Sequence, residues 1–201
     1  MAERWLFPLG HYLGPFFPGQ GAGLDGHRVR VGHEVVTLFG DTEFTVWALA
    51  HGVPGSSGVA PWTRQAVEAA VREQTGADTG ATVDELLREG VLIEVGDGAN
   101  DPVEFARRYR FRSMMVGLGA SGEQPDRFHI GLTGRPLATV DGQAFEFWEW
   151  APLHPTLWAA WQAAAAVETA LGGSEPVVDG ALDRLQVLLA AGCGYLDVAP
   201  A

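Results

Sequence analysis

The hydrophobic positions of this chain follow one pattern twice, once in each half. The best-matched windows are residues 40–50 and 141–151, in which large apolar side chains recur three residues apart, as on one face of a helix. Segments that match at a fixed offset indicate an internal repeat. The matched pairs, which we take as structural anchors, are Phe44 with Phe145 and Trp47 with Trp148, each separated by 101 residues.

Further blocks of the two halves match in the same order. Each is a short run of apolar residues interrupted by glycine or charge, and the offsets are nearly equal. We therefore predict a duplicated chain, although both halves could share only a generic pattern of strands followed by helices. The matched blocks are residues 7–14 with 111–119, 28–32 with 127–131, and 83–95 with 185–198.

In the first half, the pattern predicts a β-hairpin, three helices and a returning strand. Asp41 is a candidate N-cap for the first helix, and Thr82 with Glu85 forms a candidate capping box for the third. The predicted strands are residues 28–31, 34–39 and 91–95, and the predicted helices are residues 42–51, 64–75 and a short helix that begins at 82 and ends at Gly90.

The second half repeats this order, with Thr156 as a candidate N-cap for its second helix. Its hairpin is predicted at residues 128–132 and 136–140, its first and third helices at 143–151 and 179–190, and its last strand at 194–198. The predicted organisation is an aromatic N-terminal arm (1–26), unit 1 (27–100), a basic linker strand and loop (101–126) and unit 2 (127–201).

The order of elements in each half resembles the winged helix-turn-helix, in which three helices pack on a small antiparallel sheet. We therefore predict an α+β fold of two tandem winged-helix-like units arranged as a pseudo-dimer. Within that superfamily, residues 28–95 resemble the PqqD-like domains that recognise precursor peptides, and residues 127–198 do so more weakly. The Leu-Leu-Arg-Glu-Gly-Val-Leu-Ile run at 86–93 carries the resemblance. The resemblance implies polypeptide recognition; the doubling and the aromatic arm depart from that family.

Amino-acid composition indicates the cellular compartment and excludes some kinds of site. The 201-residue chain is 47% hydrophobic, but its apolar runs are shorter than the ~18 residues of a membrane span. No N-terminal signal pattern is present, so we expect a cytoplasmic protein without a membrane partner. The single cysteine, Cys193, excludes an internal disulfide and is expected to be core filling.

The chain is acidic, with a net charge of −12, and all 13 of its basic residues are arginine, a bias typical of a GC-rich bacterial genome. Negative charge disfavours binding to phosphate backbones. The third helix of each unit, which would enter the major groove in a DNA-binding winged helix, also carries more acidic than basic residues. Nucleic acid is therefore a disfavoured partner. The acidic residues concerned are Asp84, Glu85, Glu89, Asp179 and Asp183.

One basic segment lies between the two units. An extended conformation would place Arg108, Arg110 and Arg112 on one side of the chain, opposite Tyr109. Together with Arg107 they are our candidate partner-binding residues, as a guanidinium stripe for an acidic partner segment or for phosphates. The alternative is that these arginines pair with nearby carboxylates and protect an edge strand.

The sequence offers no catalytic residue, metal site or cofactor motif. Residues 117–122 match a dinucleotide-binding fingerprint, but Glu123 to Asp126 follow where a helix should begin, so we interpret them as a hairpin loop. His33-Glu34 opens a zinc-protease motif that fails at Thr37. We predict a non-catalytic module that binds a protein or peptide. The alternatives are a DNA-associated regulator and a small enzyme whose site the fold assembles from dispersed residues.

Overall fold

A computed structural model describes residues 4–53, 62–96, 102–170 and 179–200 of the 201-residue chain. These residues form a mixed α+β structure, as predicted. The elements of the first half are β1 (Trp5–Pro8), β2 (His11–Phe16), β3 (Gly26–Val31), β4 (Glu34–Leu38), α1 (Asp41–Leu49), α2 (Arg64–Thr75), α3 (Gly80–Arg88) and β5 (Leu92–Val95).

The second half begins with an additional helix and then repeats the order of the first. A 3-10 turn at Ala151–Leu153 follows the helix Gly142–Trp150. The elements are α4 (Pro102–Arg108), β6 (Tyr109–Ser113), β7 (Val116–Ala120), β8 (Arg127–Leu132), β9 (Arg135–Asp141), α5 (Gly142–Trp150), α6 (Leu157–Ala170), α7 (Asp179–Ala190) and β10 (Gly194–Val198).

Strand pairing repeats as well. In each half, the opening strand pairs antiparallel with the last strand to form a two-stranded ribbon, β1–β5 or β6–β10, and the middle strands form a three-stranded sheet, β2-β3-β4 or β7-β8-β9. Phe7 lies opposite Ile93 in the first ribbon, and Phe111 lies opposite Leu196 in the second. These are the pairs that the sequence repeat matches.

A β-bulge recurs at the same point of both three-stranded sheets. It falls between Tyr12 and Gly14 in the first and between Gly117 and Gly119 in the second. Because Val29 and Ile130 lie opposite these bulges and are both buried, they are equivalent positions. The predicted match of residues 28–32 with 127–131 is therefore two residues out of register, since it aligned arginine and glycine identities instead of buried positions.

The predicted boundaries at residues 1–26 and 101–126 differ from the observed elements. The first segment contains β1 and β2, which pair with β5 and β3, and the second contains α4, β6 and β7. Both segments are thus parts of their halves and not an arm and a linker. Glycine and proline suggested breaks in these strands, but Gly10, at φ +96°, makes the turn between β1 and β2.

The helix limits follow the prediction more closely than the caps do. α2 and α7 begin and end at the predicted residues. Thr156 caps α6 as predicted, and its Oγ1 accepts from the amide of Ala159 at 3.0 Å. α1, however, begins at Asp41 with Gly40 as N-cap, and α3 begins two residues before Thr82. The predicted Asp41 cap and the predicted capping box are therefore wrong.

Each half departs from a simple winged-helix order at its last strand. β5 follows the third helix of the first half but pairs with β1, and β10 likewise pairs with β6. Neither strand joins the hairpin that precedes the helices. The observed architecture is therefore mixed α+β, with the sheet of each half split into a ribbon and a separate three-stranded sheet.

Two hydrophobic clusters form the core, and the β1–β5 ribbon belongs to both. Leu6 and Leu92 lie in the cluster of the first half, whereas Phe7 and Ile93 lie in the cluster built mainly by the second half. Successive side chains of a strand point to opposite faces, so the ribbon is buried on both sides. It lies between the two cores.

Hydrogen bonds also join the halves. The amide of Gly10 donates to the carbonyl of Leu196 at 2.8 Å. Nε2 of Gln186 on α7 donates to the carbonyl of His51, just after α1, at 2.7 Å. The two halves are thus connected by backbone and side-chain contacts as well as by packing. None of the helices in the described part of the chain has the length and hydropathy needed to cross a membrane.

Candidate functional site

The four arginines predicted to bind a partner do not form one extended stripe. Arg107 and Arg108 lie in the last turn of α4, whereas Arg110 and Arg112 lie on β6. The prediction of an extended segment is wrong for the first two, because their backbone belongs to a helix. Helix and strand place the four guanidinium groups in different surroundings.

The two arginines on α4 contact neighbouring side chains. The guanidinium of Arg107 lies 5.4 Å from the ring centroid of Trp158. Nε of Arg108 donates to Oε1 of Glu104 at 2.8 Å. Arg112 lies partly exposed on β6, and no ion pair to it is found among the described residues. A role of the four arginines in binding a partner stays a prediction.

Arg110 forms a largely buried ion pair with Asp197 across the β6–β10 ribbon, at 2.9 Å. The other carboxylate oxygen of Asp197 accepts from the backbone amide of Gly32 in the first half, at 2.7 Å. Burial alone would raise the pKa of Asp197, but the bonds from Arg110 and Gly32 lower it below its ordinary value. Arg110 thus has a partner within the fold, and that partner, Asp197, also bonds the first half.

The predicted anchors are core residues. The indole Nε1 of Trp47 donates to the carbonyl of Leu9, and that of Trp148 donates to the carbonyl of Cys193, both at 3.0 Å. Both tryptophans are buried. They therefore stabilise matching places in the two halves. The rings that pack on them are Phe44, with centroids 6.3 Å apart, and Phe145, with centroids 5.8 Å apart.

The β4 strand is an open edge of the first three-stranded sheet. It pairs only with β3, and its outer side has no strand partner among the described residues. Val35 on β4 is 51% exposed, and Phe39, directly after it, is 68% exposed. β4 contains no proline, and its only charged residue is Glu34 at its first position, so residues 35–38 lack the usual protections of an edge strand. It is therefore a free template for a further strand.

The hairpin turn fixes which backbone groups of β4 face outward. Gly32 and His33 form a two-residue turn between the paired residues Val31 and Glu34, and Gly32 has the positive φ of +60° that such turns need. A two-residue turn closes on a hydrogen-bonded pair, and such pairs alternate along antiparallel strands. The amides and carbonyls of Val35 and Thr37 therefore point away from β3, toward the free edge.

An acidic group of side chains lies at the end of β4, beside α1 and α3. Oε2 of Glu43 accepts from the amide of Phe39 at 2.8 Å. Burial raises the pKa of Glu89 above its usual value, and the negative charges of Glu43 and Glu85 raise it further. These carboxylates are thus close enough to repel one another. Arg88, which pairs with Glu85 at 3.8 Å, offsets part of this charge, so the free edge leads into a region whose three carboxylates outnumber its one guanidinium group.

The matching edge in the second half is protected. β9 carries Arg135 and Pro136 at its start, and proline cannot donate to an added strand. A register shift between Ile130 and Gly131 also distorts its pairing with β8. Bulges and proline are two of the devices that blunt edge strands. Only the first half therefore presents a regular free edge at this position in the described structure.

The dispersed reactive residues form no catalytic or metal site that we can identify in the described part of the chain. Cys193 is buried, and burial raises the pKa of its thiol to about 11, so it is protonated at neutral pH. His33 lies in the β3–β4 turn and Glu34 begins β4, as the sequence predicts. No group of three or more His, Cys, Asp or Glu side chains is arranged to hold a metal ion among these residues.

Comparisons with protein-family models, with curated proteins and with solved structures found no match to this chain.

Sequence reasoning placed β4 but did not select it as a site. The signal was present in residues 35–37, a Val-Val-Thr run that is β-branched throughout and lacks charge. Comparison with Pro136 in the matching strand would have distinguished the two edges. The acidic group beside it could not be read from sequence, because Glu43, Glu85 and Glu89 come together only in the folded chain.

Proposed function

We propose that this protein is a non-catalytic module that binds an extended polypeptide segment by adding it as a strand to the free edge of β4. The open β4 edge, which ends beside the carboxylates of Glu43, Glu85 and Glu89, is the observation that carries the proposal. Strand addition is a common mode of peptide recognition, in which backbone hydrogen bonds provide affinity and side-chain pockets provide specificity.

Charge and side-chain spacing define the kind of segment that would fit. The partner's backbone would bond the outward amides and carbonyls of Val35 and Thr37, and its alternate apolar side chains would cover Val35 and Phe39. Basic residues at one end of the segment would meet the carboxylates of Glu43, Glu85 and Glu89. The net charge of −12 would also favour a basic partner and disfavour nucleic acid.

The PqqD-like resemblance of residues 28–95 agrees in kind with this proposal, since it implies recognition of a precursor peptide. We further propose that each half is a winged-helix-like unit whose sheet is split, and that the pair acts as a pseudo-dimer with a single binding edge. The second copy would serve as support, because its β9 edge is interrupted by Pro136 and a register shift.

A peptide display library provides the test, with the full chain as bait. We expect enrichment of sequences that alternate apolar residues and carry lysine or arginine at one end. Thr37→Pro should weaken binding of a selected peptide about tenfold or more, because it removes one outward donor and blocks close approach of the added strand. Isothermal titration calorimetry measures both affinities.

Thr37→Val is the matched control, since it changes the side chain and retains the amide. It should bind the selected peptide as the unchanged chain does. Equal binding by Thr37→Pro, in a variant whose circular dichroism shows it folded, would place the peptide elsewhere and contradict the proposal. So would tight binding of genomic DNA that falls steeply with salt, which indicates a nucleic-acid partner.

A further inference from the structure

A cleft of about 310 Å³ lies where the two halves meet. Its walls come from the start of β2, the end of α1, the β6–β7 connection and the end of α7 with β10. The volume is at the small end of ligand sites, enough for a small molecule or one side chain. Aromatic rings and small apolar residues dominate its lining, which among the described residues contains no acidic or basic side chain other than histidine.

Aromatic rings from both halves line the cleft. His11 stacks on Tyr195 with ring centroids 4.8 Å apart, so this wall contains one ring from each half. Trp47 meets His51 edge to face at 4.6 Å on the α1 side. The faces of tyrosine and tryptophan rings carry negative potential and attract cations.

Two helices end at the cleft. Ala48 in the last turn of α1 and Ala190 at the end of α7 both line it. The carbonyl ends of helices carry negative partial charge and stabilise cations. No lysine or arginine side chain lines the cleft to neutralise this potential. The aromatic rings and the helix ends therefore both favour a positively charged ligand.

His51 adds a hydrogen-bond acceptor. Its Nδ1 lies 3.1 Å from the carbonyl oxygen of Trp47 and 3.2 Å from that of Ala48, so Nδ1 must carry the proton. Nε2 then holds a lone pair and has no partner among the described residues. Burial lowers the pKa of His51 to about 4, which keeps the ring neutral near pH 7. A quaternary ammonium could not use this acceptor, but an N–H donor could.

We infer that the cleft between the halves is a binding site for a primary alkylammonium group, either a free amine or a lysine side chain. The alkyl chain would pack on the apolar lining, and the ammonium would bond Nε2 of His51 against the aromatic rings. This site is separate from the β4 edge and does not depend on the proposed strand addition.

Nuclear magnetic resonance titration of the full chain with n-butylammonium chloride at pH 7.5 and fixed ionic strength tests the site. We expect saturable shifts of the amides of Gly52 and Gly192, which line the cleft. The neutral isostere n-butanol should bind about tenfold more weakly or not at all. Equal binding of n-butanol would show an apolar cleft without cation preference and would overturn the inference, as would shifts that never saturate.

Two variants locate the ammonium. His51→Phe keeps a ring but removes the acceptor and should weaken n-butylammonium binding about tenfold. His33→Phe, in the exposed β3–β4 turn, is the matched control and should leave the affinity unchanged. Should His51→Phe fail to fold, Tyr195→Leu removes a ring wall instead and should also weaken binding. Unchanged affinity in whichever of these two cleft variants folds would overturn the site.

A comparison of two amines identifies the source of the group. Tighter binding of N-acetyl-lysine methylamide than of n-butylammonium would support a lysine side chain of a polypeptide. The reverse order would support a free small amine, since the peptide backbone would then hinder entry. Failure of both amines to bind would overturn the inference and leave the peptide test at β4 unaffected.

Discussion

The ribbons of the two halves share one register but have different surroundings. Phe7 opposite Ile93 corresponds to Phe111 opposite Leu196, so Glu94 and Asp197, the next residues, are equivalent. Glu94 pairs with the exposed Arg4 at 3.7 Å, whereas Asp197 pairs with the largely buried Arg110 and also bonds Gly32 of the first half. Equivalent backbone positions thus carry a surface ion pair in one half and, in the other, a largely buried ion pair whose aspartate also bonds the first half.

The edges of the three-stranded sheets differ in the same way. β4 is regular and open, and β9 is interrupted by proline and a register shift. The shared features of the halves are those that make the fold: the ribbon register, the bulge and the buried tryptophan. The features that differ lie at the edges of the sheets and where the two halves meet.

The largest expected effect comes from breaking the ion pairs Arg110–Asp197 and Arg4–Glu94. Asp197→Ala leaves Arg110 unpaired in a largely buried place and should lower the free energy of unfolding by about 3 kcal/mol. Glu94→Ala removes the matching exposed pair and should cost only about 0–1 kcal/mol. Urea denaturation followed by circular dichroism measures both. Similar losses in the two variants would show that the surroundings of the pairs are energetically equivalent.

A smaller effect concerns pH and arises from a histidine of the first half. The pKa of His51 falls from 6.5 to about 4 on folding, so the unfolded chain takes up a proton first as pH falls. The contribution of neutral His51 to the free energy of unfolding is present above pH 6.5 and is lost as the pH falls toward 4. Between pH 7 and pH 5 the loss should be about 2 kcal/mol. Pro152 occupies the equivalent position in the second half and cannot titrate.

His51→Gln should remove that pH dependence, because an amide does not titrate in this range. Urea midpoints of the variant and the unchanged chain, measured at pH 7 and pH 5, give the difference. His33→Gln is the control and should keep the full dependence, since its side chain is exposed. A His51→Gln variant that loses as much stability as the unchanged chain between these values would refute the assignment to His51.

The smallest expected effect concerns the first helix after each hairpin. Asp141 caps α5, with its side chain accepting from the amide of Ala144 at 2.8 Å, whereas Gly40 at the N-cap of α1 offers no side chain. Asp141→Ala should cost about 1 kcal/mol. Gly40→Asp should gain a few tenths, about 0.3 kcal/mol, since a Cβ there has room and the backbone is extended.

Thermal unfolding of both cap variants by calorimetry checks this pair of changes. The two substitutions should change the free energy of unfolding in opposite directions, because α5 has a side-chain cap and α1 lacks one. A loss of stability in Gly40→Asp would mean that the N-cap of α1 is already satisfied, for example by Glu43.

Several elements were predictable because they depend on local pattern. The apolar spacing of α2 and α7, bounded by Gly76 and Gly192, gave their limits, and the Phe44–Trp47 window gave the repeat. β1 and β2 were missed because Pro8, Gly10 and Gly14 interrupt the hydrophobic alternation. Their strand character depends on pairing with β5 and β3, which lie far away in sequence.

The sites were less accessible to sequence reasoning than the fold. The arginines at 107–112 were conspicuous as a local run, yet α4 and the Asp197 pair separate them in space. The cleft unites His11, His51 and Tyr195 from three distant segments, and no local pattern links them. A cleft that forms only where the two halves meet leaves no pattern in the sequence of either half.

The β1–β5 ribbon has a consequence for how the molecule comes apart. Its amides are covered by side chains on both faces, and its residues contribute to both cores. Opening either core would expose the ribbon and weaken the other core as well, so the halves should melt cooperatively, and the ribbon amides should be among the slowest to exchange with deuterium.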